Sequence, residues 1–149
     1  MKKFFALLLT ICCCFSLLIP QAAALDTANT TTRIDLPDGG YIIEEITSNT
    51  PVTRATTSTS KTKTHTRYTA SGHALYAVSV TGSFKYTGST SWATGSSASV
   101  AIYDSNVVYV SKSASYASNY ATATGRIKYL GDSESRTVTL YCDKNGNFS

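Results

Sequence analysis

His73–Gly88 reads HALYAVSVTGSFKYTG, and this stretch decides the fold. Ala74, Tyr76, Val78, Val80, Phe84 and Tyr86 fall on one parity, and Leu75, Ala77, Ser79, Thr81, Ser83 and Lys85 on the other. A helix would repeat its apolar residues every 3.6 positions, whereas a period of two belongs to a strand with one buried face. Gly82 interrupts the apolar parity, as at a bulge or bend.

Toward the C-terminus the same signal returns in shorter pieces. STSWATGSS reads as a loop, and Ala98–Tyr103 as a strand with Ala98, Val100 and Ile102 inward. DSN turns the chain, Val107–Ser111 comes back as a hairpin partner, and SKSASYASN reads as another loop. Tyr120–Leu130 sets Ala121, Ala123, Ile127 and Tyr129 on one face, with Gly125 at a close approach. After GDSES, Arg136–Cys142 sends Val138, Leu140 and Cys142 inward, and the Asn-Gly turn of DKNGNFS lets Phe148 fold back over the core. No window beyond residue 24 carries a sustained helical stripe. Serine and threonine make up about a third of residues 25–149, a composition that favours sheets. The expected fold is all-β, a single antiparallel β-sandwich of about six or seven strands over residues 61–149.

Upstream, Lys61–Thr69 reads KTKTHTRYT. Lys61, Lys63, His65 and Arg67 share one face, opposite Thr62, Thr64, Thr66 and Tyr68. As an edge strand it would turn its cations to water and so deter pairing with another molecule. The competing reading makes Lys61, Lys63 and Arg67 a row that binds a polyanion, with strong salt dependence.

Residues 25–60 are acidic, with two cations against five carboxylates, whereas 61–149 hold nine cations against four. RIDLPDGGYIIEEI reads as a short hairpin around a Pro-Asp-Gly-Gly turn, and TSNTPVTRATTSTS as a linker. The expectation is a flexible acidic front segment that contributes little to stability. Residues 1–24 have the layout of a secretory signal peptide: Lys2 and Lys3, an uncharged apolar run from Phe4 to Ile19, Pro20, then small residues ending at Ala24, the expected cleavage site. Three of the four cysteines lie in that run, leaving Cys142 alone in the expected mature chain, with no intramolecular disulfide.

Catalytic templates fit poorly. Ser58–Lys61 and Ser60–Lys63 match Ser-x-x-Lys, but in a Ser/Thr-rich tract and with no Lys-Thr-Gly element after them. His65 and His73 have no acidic residue beside them in sequence. No metal-ligand spacing occurs, and the acids stand singly or in turns. Neither cofactor nor metal is expected, and the mild charge imbalance argues against nucleic acid. Trp92, the only tryptophan, has two readings: a cap on the open end of the core, which the loop context favours, or an exposed indole that stacks on a sugar ring.

YTASGHALYAVSVTGSFKYTGSTSW, SVAIYD, ATATG and the ending VTLYCDKNGNFS, together with the front RIDLPDGGYIIEEI, resemble a family of small secreted proteins from Gram-positive gut bacteria, mostly Clostridia and relatives, whose domain has no known function. The resemblance implies secretion and a sheet fold, and carries no catalytic residues. It also implies a second cysteine that could bridge to Cys142 in relatives; STSWATG holds none here. The expected function is a non-catalytic extracellular binding or interaction module, monomeric and free of the membrane once cleaved. Its partner would be a cell-wall polyanion, a carbohydrate or another protein. The alternative is a bacteriocin-like or toxin-like effector with a removable acidic pro-segment.

Overall fold

The computed structural model describes residues 29–48 and 58–149. The signal-peptide reading with its cleavage at Ala24, and the centre of the linker reading, lie outside the described residues. The chain is all-β. Five strands form one antiparallel sheet in sequence order: β1 (Thr30–Asp35), β2 (Tyr41–Ser48), β3 (Ser58–Tyr68), β4 (Ala74–Tyr86) and β5 (Ser91–Ile102). Three more form a second: β6 (Val107–Ala117), β7 (Tyr120–Tyr129) and β8 (Asp132–Tyr141).

The sheets pack face to face. From β4 come Tyr76, Val78, Val80 and Phe84; from β7 Ala121, Ala123 and Ile127; from β8 and just beyond it Val138, Leu140 and Cys142. These parities are those the sequence offered, and each large side chain so buried is worth about 1.5–3 kcal/mol. Phe148 does fold back: its backbone bridges Cys142 and its ring meets Phe84 edge-on at 5.4 Å. Gly125 sits where a Cβ would lie 2.7 Å from a Val78 methyl carbon, so the sheets can approach only without a side chain there. Gly82 itself keeps its register to Lys61 and Ser96, and the irregularity expected there falls one residue on, between Ser83 and Phe84 in the pairing with β5. Gly82 clears space for the Phe84 ring, 2.4 Å from where its Cβ would stand.

Several expectations fail for one reason, that strand pairing overrides weak local patterns. Most of STSWATGSS and of SKSASYASN is strand, extending β5 and β6 along β4 and β7. Val107–Ser111 does not pair with β5, because DSN carries the chain from one sheet to the other. Ile102, at the end of β5, is 38% exposed rather than buried.

The largest correction concerns the front of the chain. The hairpin around Pro37–Gly40 exists, but it is part of the sheet: β2 pairs with β3 along eight residues, from Tyr41↔Tyr68 to Ser48↔Lys61. Ile42 and Ile46 on β2 are buried. β3 therefore has neighbours on both sides and is not an edge strand. Its two faces alternate as read, but the cationic face points inward. Lys63 lies opposite Val80 and Ile46, Arg67 opposite Tyr76 and Ile42, and both cations are buried.

Candidate functional site

Two features combine polar chemistry with an unusual position. The first is the charged patch between the sheets. Glu44 of β2 accepts from Lys63 Nζ at 3.1 Å on one carboxylate oxygen and lies 2.7 Å from His65 Nε2 on the other. Across the gap, Tyr76 Oη donates to Glu134 of β8 at 2.6 Å, and Arg136 Nη2 donates to the same oxygen at 3.0 Å. Arg67 pairs with Asp38 of the β1–β2 turn and donates to the Tyr68 carbonyl. The acidic front segment thus supplies the countercharges for Lys63, His65 and Arg67 of the basic row. Burying a charge is tolerable only with such partners.

The electrostatics follow from that packing. Burial pushes the His65 imidazole below its ordinary pKa, against the opposing pull of Glu44. Burial also opposes the Glu44 charge, but hydrogen bonds and charge from Lys63 and His65 outweigh it and hold the carboxyl below its usual range. The Tyr76 phenol is driven well above its ordinary value by burial and by the Glu134 carboxylate. Each of these groups has its hydrogen-bonding or ionic partner within the patch. His65 Nδ1 and Arg136 Nε are buried there without one. A second imidazole–carboxylate pair, His73 with Asp104 at 2.9 Å, sits at the exposed sheet crossover. Among the described residues neither imidazole hydrogen-bonds a hydroxyl or thiol that it could activate, and Cys142 is buried, its thiol pushed up to about 11 by burial and by Asp143. Among the described residues no group of three metal-ligating side chains converges.

The second feature is the outer face of the five-stranded sheet. The register sets Thr47, Thr62, Thr81 and Ser97 in one row across β2 to β5, and Glu45, Thr64, Ser79 and Ser99 in the next. Hydroxyls bond along these rows, Thr62 to Thr81 at 2.7 Å and Thr64 to Ser79 at 2.8 Å. Rows of this kind are spaced about 6.6 Å along the strands and about 4.8 Å across them. Trp92 stands at one end of this face, opposite Lys85 on β4. Phe84 and Ala93, their immediate neighbours, point into the core, so Trp92 and Lys85 point away from it. The indole is 40% exposed and is not among the side chains packed against the core.

The structure therefore separates the residues that the sequence grouped as candidates. Trp92 is on the surface. Lys63 and Arg67 are withdrawn into ion pairs and unavailable to an external polyanion, while Lys61 lies on the same inner-facing row, its ammonium 5.6 Å from the Phe148 ring centroid. Glu44, Tyr76 and the Glu134–Arg136 pair went unrecognised in the sequence because the contacts that build the patch, Glu44 with Lys63 and His65 and Tyr76 with Glu134, join different strands. For Glu44 the available signal was charge complementarity between 25–60 and 61–149. Compared with known proteins, the chain matches no family model, and no curated protein and no solved structure is similar to it.

Proposed function

We propose that the chain is a secreted, non-catalytic binding module acting outside the cell, with the outer face of the five-stranded sheet as its ligand platform and Trp92 as its stacking residue. The observation that carries this reading is the outward position of Trp92 at the end of a face of threonines and serines. A sugar polymer offers apolar ring faces to an indole and hydroxyls to hydroxyls, and Lys85 beside the indole adds a charge for an acidic substituent. Among the described residues each carboxylate beside an imidazole sits in an ion pair with no nucleophile attached, which favours binding over catalysis. The alternative of a removable pro-segment fares worse, because removing residues 25–60 would strip Glu44, Ile42 and Ile46 from the sheet.

Trp92 is the only tryptophan, so its fluorescence reports on this face directly. Adding soluble cell-wall glycan, with and without its polyanionic substituents, should shift the emission to shorter wavelength. Trp92→Ala should reduce retention on the insoluble wall at least tenfold without changing the melting temperature. An unchanged emission together with undiminished retention of Trp92→Ala would overturn the proposal.

A further inference from the structure

β6 offers a surface that the platform reading does not use. It is eleven residues long, among the described residues it pairs with β7 alone, and every residue after Val107 is exposed. Val108, Tyr109, Val110 and Tyr116 put large apolar side chains into water. Edge strands are ordinarily protected by charges, proline or brevity. β1, at the outer edge of the larger sheet, has only six residues and an Arg33–Asp35 ion pair, whereas β6 carries a single charge, Lys112, and no proline.

The register shift between Tyr109 and Ser111 interrupts β6, so the regular stretch open to another strand is Ser111–Ala117, SKSASYA. Lys112, Ala114 and Tyr116 lie opposite Gly125, Ala123 and Ala121, on the core-facing parity of β7, while Ser111, Ser113 and Ser115 share the outer parity. Laid antiparallel on itself about Ala114, this stretch is self-complementary. Lys112 meets Tyr116 of the other copy, an ammonium beside an aromatic face on the same side of the sheet. Ser113 meets Ser115, as Ser115 and Thr122 already bond at 2.7 Å within the chain. Ala114 meets itself, the smallest side chain falling on the axis. A register centred on Lys112 would oppose two ammonium groups, and one centred on Ser113 would run Tyr116 into the irregularity at Val110.

We infer that two copies of this chain associate through antiparallel β6–β6 pairing about a twofold axis at Ala114, joining two three-stranded sheets into one of six strands. The sequence reading expected a single chain; this edge supplies the partner. One strand pair is a small interface, so association belongs in the micromolar to millimolar range.

The test combines sedimentation with cysteine substitution in the full mature chain. Sedimentation should shift from monomer toward dimer between about 10 µM and about 1 mM. Ala114→Cys should form a covalent dimer on mild oxidation, because directly opposed Cα atoms fall within disulfide reach. Ser113→Cys and Lys112→Cys should not, their counterparts being offset along the strand, and the buried Cys142 should stay silent in all three. Ala114→Lys should abolish association with an unchanged melting temperature, since that side chain is exposed. A monomer at about 1 mM without Ala114→Cys cross-linking would overturn the inference, as would cross-linking that favours Lys112→Cys or Ser113→Cys. Perturbation of β6 only by an added extended peptide would also overturn it, assigning the edge to a different chain.

Discussion

Replacing Glu44 with glutamine tests whether the basic row of β3 is held inside by the front of the chain. The substitution keeps the shape and removes the charge. Lys63 Nζ lies 3.1 Å from the carboxylate with its side chain 11% exposed, so it cannot simply turn to water. Stripping one partner from a fully buried pair costs about 3–5 kcal/mol. Here Glu44 is itself 22% exposed, and glutamine can still accept a hydrogen bond, which together reduce the cost to about 2–3 kcal/mol. In a domain of this size that loss lowers the melting temperature by about 10 °C. Chemical denaturation should show a lower midpoint with an unchanged slope, since the surface exposed on unfolding is the same. A loss below about 0.5 kcal/mol, the scale of an exposed pair, would refute the reasoning and return the row to water.

Acid should weaken the same patch in two stages. The folded state holds His65 neutral more firmly than the unfolded chain does, so stability is full above 6.5 and declines as pH falls below that value. Glu44 is held ionised, so its contribution declines as pH falls below 4.5. His65→Gln should remove the first stage and leave the second, as read from melting temperature against pH. In the core, Val80→Ala and Leu140→Ala should each cost about 2–4 kcal/mol by denaturant titration, whereas exposed Ile102→Ala and Thr137→Ala should each cost under about 1 kcal/mol. Gly125→Ala, which drives a methyl group toward Val78 and Val100, should cost at least about 2 kcal/mol by the same assay.

What the sequence disclosed was parity, and what it withheld was side. Alternation in β4, β7 and β8 came with one apolar face and one polar face, so the buried side declared itself. In β3 both faces are polar, and nothing local says whether a row of cations or a row of threonines faces the core. The deciding residues are Glu44 and Asp38, which lie 19 and 29 residues before the cations they neutralise, beyond a stretch that reads as a linker. β5 and β6 were partly missed for a related reason. Their serines, glycines and alanines carry little apolar signal, and their backbones are fixed by the neighbouring strands. Trp92 was visible as a candidate, but its exposure depends on STSWATGSS being strand rather than loop, which only the pairing with β4 decides.

Amide hydrogen exchange of the unmodified protein, read residue by residue by NMR, tests the placement of β3 most directly. In a strand flanked by β2 and β4, alternate N–H groups donate to opposite neighbours. The account therefore predicts slow exchange at every amide from Thr62 to Arg67. Fast exchange at every second amide of that run would mean an open edge and would contradict the account, taking with it the role of the acidic front as the partner of the basic row.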